Sequence, residues 1–128
     1  MIGTTSFELA EKIFKAGIII NAGFYYSRRK KTRHASENLP RGIRDFHKIY
    51  VPAPELLELV SRLPKTIKRD KKSKYTLAMW FDYEGTFCIG YCLEHFIDET
   101  LYEYCAVEPA DAAASLILKL KKDGKLKI

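Results

Sequence analysis

Residues 75–93, YTLAMWFDYEGTFCIGYCL, constrain the fold more than any other stretch of this chain. Two apolar runs flank Asp82-Tyr83-Glu84-Gly85, a turn sequence with glycine where a positive φ is most easily adopted. Tyr75, Leu77, Met79 and Phe81 alternate with Thr76, Ala78 and Trp80. After the turn, Phe87, Ile89, Tyr91 and Leu93 alternate with Thr86, Cys88, Gly90 and Cys92. A period of two puts each set on one face of a strand. An isolated two-stranded hairpin is marginal in water, so its apolar face needs further strands or a helix. The expected architecture is α+β: an antiparallel sheet of three to five strands built on this central hairpin, with two or three helices packed on one face.

The helices are marked by their ends. Thr5 or Ser6 can cap a first helix in which Phe7, Ala10, Ile13 and Phe14 share a face, and Gly17 suits its stop. Residues 52–64, PAPELLELVSRLP, read as a second helix with Pro54 in its first turn, Pro64 at its exit, and Leu56, Leu59, Val60 and Leu63 inward. Glu108-Pro109-Ala110-Asp111 opens a last helix over 112–122. Lys119, Lys121 and Lys122 lie at its negative end, Gly124 follows as the stop, and Ala113, Leu116, Ile117 and Leu120 form the stripe that should cover the sheet. Residues 18–20 and 23–26 read as extended, 45–50 as a short strand, 94–100 as a connection and 101–107 as a strand.

The 128 residues are expected to form a single domain, with a basic loop over about 27–44. No apolar run approaches the roughly 20 residues of a membrane helix, and the N-terminus lacks the pattern of an export signal. The expected location is the cytoplasm of a bacterial host cell, with no membrane partner.

The net charge of +6 conceals a partition. Residues 28–74 carry 15 Lys/Arg against 5 Asp/Glu, whereas residues 75–118 carry 8 acids and no Lys or Arg. Charge segregated along a chain often becomes charge segregated on a surface. Two basic segments are the candidate binding patch: Tyr25, Tyr26, Arg28, Arg29, Lys30, Lys31 and Arg33 in the first, and Lys68, Arg69, Lys71 and Lys72 in the second. Lysine and arginine there can neutralise phosphates while the tyrosines offer stacking faces for bases. Asp98, Glu99 and Glu103 are the candidate acidic face, suited to a basic partner surface or to mimicry of nucleic acid.

Catalytic signatures are missing: the sequence has no phosphate-binding glycine loop, nucleophile elbow or HExxH pair. The expectation is therefore a protein that is not an enzyme and that uses no cofactor and no metal. His34, His47 and His95 are widely spaced; a dyad of His95 with Cys92 or Cys105 is the one catalytic arrangement that neighbouring strands would allow. Cys88, Cys92 and Cys105 are expected as buried free thiols. On one straight strand Cys88 and Cys92 would be about 13 Å apart, too far to share a zinc whose bonds to sulfur are about 2.3 Å.

Four blocks carry a resemblance: SFELAEKIFKAGI, VPAPELLELVSRLP followed by KTI, YTLAMWFDYEGTFCIGY, and ADAAASLILKLKKDGKL. In these, over a little more than half its length, the chain resembles small uncharacterised proteins of bacteriophages and related mobile elements of gut bacteria. The resemblance implies a phage or prophage setting and carries over no functional residue. The functional expectation is a small non-enzymatic accessory protein that binds a host or phage protein through charge-segregated surfaces, or associates as a homodimer. The alternative is a nucleic-acid-binding module using residues 28–33 and 65–74.

Overall fold

A computed structural model describes residues 3–40, 42, 44–68, 73–93 and 96–126; over 96–99 it describes the backbone alone. In chain order the elements are α1 (Phe7–Lys15), β1 (Phe24–Ser27), β2 (Arg33–Ala35), a 3-10 turn at Ser36–Asn38, α2 (Phe46–Ile49), β3 (Tyr50–Pro52), α3 (Leu56–Val60), β4 (Thr66–Lys68), β5 (Lys74–Phe81), β6 (Phe87–Leu93), β7 (Phe96–Ala106) and α4 (Pro109–Lys122). The fold is α+β, with two antiparallel sheets ordered β2-β1-β3 and β4-β5-β6-β7.

The hairpin of residues 75–93 forms the centre of the four-stranded sheet. Its pairs run from Tyr75 opposite Leu93 to Phe81 opposite Phe87, so the two apolar sets share one face. Asp82 builds the turn: its carboxylate accepts the N–H groups of Glu84 and Thr86, each at 2.9 Å, and Gly85 takes a φ of +80°. On the apolar face lies α4, the centre of the molecule, with Ala113, Leu116, Ile117 and Leu120 fully buried against Ile89, Tyr91, Tyr75 and Ile67. α1 and α3 pack on the other side of α4. The start of α4 is tied to the start of α1 by the Asp111 carboxylate, which accepts the Ser6 N–H at 2.7 Å. Ser6 is the cap of α1.

The second sheet collects short segments from the first half of the chain. Tyr25 and Tyr26 of β1 pair with His34 and Arg33 on one side and with Pro52 and Val51 on the other. Glu58 of α3 secures this sheet to the core, accepting the N–H groups of Gly23 (3.1 Å) and Glu55 (2.9 Å).

Several expected boundaries are corrected. Residues 18–20 enter no strand; Ile18 and Ile20 point into the core while Ile19 faces out. Residues 46–49 form a helical turn, with strand structure only from Tyr50. The helix expected across 52–64 is limited to five residues, because Glu58 closes its N-terminus at Glu55 and a turn follows Val60. The connection expected over 94–100 is strand from Phe96 onward, so β6 and β7 pair almost directly. β7 then carries a bulge at Tyr102, whose φ is +60°, over Gly90 of β6.

Candidate interaction surfaces

The basic run of residues 28–33 does not form a free loop. Ser27 and Arg33 lie in paired strands, and the turn between them folds onto α1. Arg28 forms an ion pair with Glu11, donates from Nε to the His47 carbonyl at 3.0 Å, and lies 5.4 Å from the centre of the Phe14 ring. Lys31 sits 5.5 Å over Phe7 and Arg33 sits 5.2 Å over Phe24, with Arg33 also donating to the Thr4 hydroxyl at 3.1 Å. The stacking platforms are engaged as well. Tyr26 donates its hydroxyl to the Thr5 carbonyl at 2.5 Å and meets Phe7 edge-on. Tyr25 meets Phe46 edge-on and borders an apolar hollow of about 550 Å³ beside Phe14 and His47. Of the first candidate patch, Arg29, Lys30, Lys31 and Arg33 are exposed, while Tyr25, Tyr26 and Arg28 are half-buried.

The second basic segment lies in a more open setting. Lys65, just before β4, and Lys68 at its end join Arg62 and Lys125 around a groove of about 490 Å³ lined also by Leu63, Pro64 and Ile67. Among the described residues none of these four cations is paired with a carboxylate. Arg69, Lys71 and Lys72 lie outside the described residues. Arg62 and Lys125 carry no local signal in the sequence, because they come from the exits of α3 and α4, elements brought together only by packing.

The opposite end of the four-stranded sheet has another character. β4 pairs only with residues 74–76 of β5, and the Lys65 carbonyl takes the Leu77 N–H at 2.9 Å. Backbone groups alternate sides along an antiparallel strand. Met79 and Phe81 therefore direct their N–H and C=O groups away from β6, to a side where no described strand lies. Both side chains are exposed, Phe81 to 70%, and Tyr83 in the adjoining turn and Val107 just past the end of β7 stand almost wholly in solvent. Asp82 and Glu84 border this end, about 26 Å along the strand from Lys74 at 3.3 Å per residue. The sheet is thus cationic at one end and anionic, apolar and open-edged at the other.

Cysteine placement departs from expectation. Cys88 and Cys105 are directly opposed on β6 and β7 and joined by a disulfide, with Cα atoms 4.1 Å apart, and Cys105 is exposed. Only Cys92 is a buried free thiol. Burial, then the nearby charge of Glu103, push the Cys92 thiol up from its ordinary range. Glu103, one of the three acids expected to make an acidic face, lies exposed beside the disulfide. The side chains of Asp98 and Glu99, and all of His95, lie outside the described residues. No protein-family model, curated protein or solved structure matches the chain.

Proposed function

We propose that this is a small non-enzymatic interaction protein that takes an extended segment of a partner protein onto the free edge of β5. The observation that carries this reading is the coincidence of a β5 edge with no described strand beside Met79 and Phe81 and of exposed Met79, Phe81 and Tyr83. Strand addition draws affinity from main-chain hydrogen bonds and selectivity from alternate side chains. Aromatic residues and methionine are the types enriched where proteins meet. The charge pattern defines the segment that fits. It is apolar at alternate positions, basic where it meets Asp82 and Glu84, and acidic where it meets Lys65. A second copy paired antiparallel through the same edge meets that description, since the acidic turn of each copy then approaches the basic groove of the other. A host or phage protein carrying such a segment meets it equally, in keeping with the phage or mobile-element setting.

The test is affinity capture from a bacterial lysate, with and without nuclease, using the wild type and Met79→Pro, with light scattering on the purified protein. Expected is a nuclease-resistant protein, or a dimer, that Met79→Pro loses while its circular dichroism stays native. A monomer whose captured proteins are the same for both chains contradicts the reading.

A second reading rests on the groove at the other end. Four cations around one concavity, none paired with a carboxylate among the described residues, would bind a polyanion such as a nucleic-acid backbone, with affinity falling steeply as salt rises. Capture that disappears on nuclease treatment and survives Met79→Pro would favour it.

A further inference from the structure

The outer face of the four-stranded sheet, turned away from α4, carries all three cysteines of the chain: Cys88 and Cys92 on β6 and Cys105 on β7. We propose that Cys88, Cys105 and Glu103 form a binding site for one zinc-type divalent cation, open when the two sulfurs are reduced and closed when they are joined. This stands independently of the interaction reading above.

Placement comes first. The two sulfurs and a Glu103 carboxylate oxygen all lie within 4.8 Å of one another. Zinc binds sulfur at about 2.3 Å and carboxylate oxygen at about 2.0–2.2 Å in tetrahedral geometry, so two ligand atoms on one ion are about 3.6–3.8 Å apart. Side-chain rotations that move these atoms by about 1 Å bring the set to that spacing once the S–S bond is gone. The backbone beneath is fixed by strand pairing. Cys88 and Cys105 are register partners, and the Glu103 Cα packs directly over Gly90, where a Cβ would come within 3.1 Å of it. That close approach is what the glycine permits. It aims Glu103 onto the same face as the two sulfurs. Cys92, four residues further along β6, lies beyond reach of the same ion.

The donor set fits the cation class. Two thiolates and one carboxylate suit a borderline-soft ion such as Zn²⁺ over Mg²⁺ or Ca²⁺, which prefer all-oxygen shells. Cys105 and Glu103 are exposed while Cys88 is buried. The three ligands therefore approach from the protein side and leave a fourth position toward solvent, for water or for a donor from a partner. Cys88 and Cys92 share a strand and lie too far apart for one ion, whereas the pair that can converge sits across the β6–β7 ladder.

The opening step balances with a dithiol as reductant. Its thiolate attacks the exposed Cys105 sulfur and releases Cys88 as the leaving thiolate; its second thiol then displaces Cys105 and departs as a disulfide. Two electrons and two protons remain on Cys88 and Cys105 as thiols. Binding of the cation by both thiolates returns the two protons to solvent.

The probe is Co²⁺ added to the full chain, reduced with a dithiol and freed of it without oxygen. Expected are sulfur-to-cobalt charge-transfer and tetrahedral ligand-field bands that saturate at one equivalent and are bleached by Zn²⁺. Trp80, the chain's one tryptophan and the register partner of Cys88 on β5, should lose emission in parallel. Oxidised wild type and reduced Cys105→Ser should show neither signal. Cys92→Ser should keep both, and Glu103→Gln should bind at least about tenfold more weakly. Should Cys105→Ser fail to fold, release of zinc from the wild type on reoxidation, read with a coloured chelator, decides the matter. Reduced wild type without the charge-transfer bands, signals that follow Cys92, or retention of zinc on reoxidation would overturn the proposal and leave a plain structural disulfide.

Discussion

Gly90 is the position where a single methyl group would disturb most. A Cβ there would lie 2.9 Å from the Tyr102 carbonyl oxygen and 3.1 Å from the Glu103 Cα, both backbone, which cannot swing aside as a flexible side chain would. Gly90→Ala is expected to cost about 1–3 kcal/mol, the usual range for overpacking, and to lower the denaturant midpoint without changing the slope. Asp123 offers a second test. The Tyr102 hydroxyl donates to its carboxylate at 2.7 Å and Lys119 lies 3.5 Å away, which together hold this acid below its ordinary value of 3.8. A depressed carboxyl contributes stability above its unfolded value and loses it as pH falls through the lower folded value. Thermal melts across the acid range should therefore fall more steeply for the wild type than for Asp123→Asn or Tyr102→Phe. Tyr102 is held above its ordinary 10.0 by the same hydrogen bond, then by burial. Its contribution is present below that value and is lost as alkali carries the pH through the raised one. Identical acid limbs in all three proteins would show that the contact is absent in solution.

Strand β5 is legible in the sequence because alternation over eight residues fixes both face and register. α4 is legible because Pro109, Asp111, its terminal lysines and Gly124 all agree on where it begins and ends. The three-stranded sheet is not, since β1, β2 and β3 have three or four residues each and β1 pairs with β3 across the intervening chain. The Cys88–Cys105 pairing was hidden for a related reason: its register depends on the bulge at Tyr102, which no local pattern announces. The free edge of β5 makes a prediction that only the ladder can give. Met79 points its N–H outward, so Met79→Pro removes no ladder bond and should stay folded, as proline does on edge strands. Ala78 and Trp80 point theirs toward β6, opposite Gly90 and Cys88. Proline at either removes a ladder hydrogen bond to β6, read as loss of the folded signal or a large drop in melting temperature. Equal tolerance at 78, 79 and 80 would mean that the strand is not paired as described.

Taken as a whole, the molecule sorts its charge along the sheet. The cationic groove of Arg62, Lys65, Lys68 and Lys125 lies at one end, and Asp82 and Glu84 lie at the other beside exposed apolar side chains. The first basic run, the most conspicuous in the sequence, is exposed from Arg29 to Arg33, yet several of its side chains are engaged within the fold. Arg28 and Arg33 clamp the second sheet to α1 and to Thr4, so they are structural residues before they are contacts. Replacing Lys65 and Lys68 by glutamate should abolish any low-salt association with a single-stranded oligonucleotide while leaving the melting temperature close to wild type. Replacing Arg29 and Lys30 should change that association little. If the second pair proves the more important, the groove is not the anionic-ligand site. Amide hydrogen exchange of Met79 and Phe81 tests the open edge of β5 most directly. In dilute free protein these two amides should exchange fast while Ala78 and Trp80 are protected, and all four should be protected in the dimer or captured complex. Protection of Met79 and Phe81 in the free monomer, or no gain on association, would contradict strand addition.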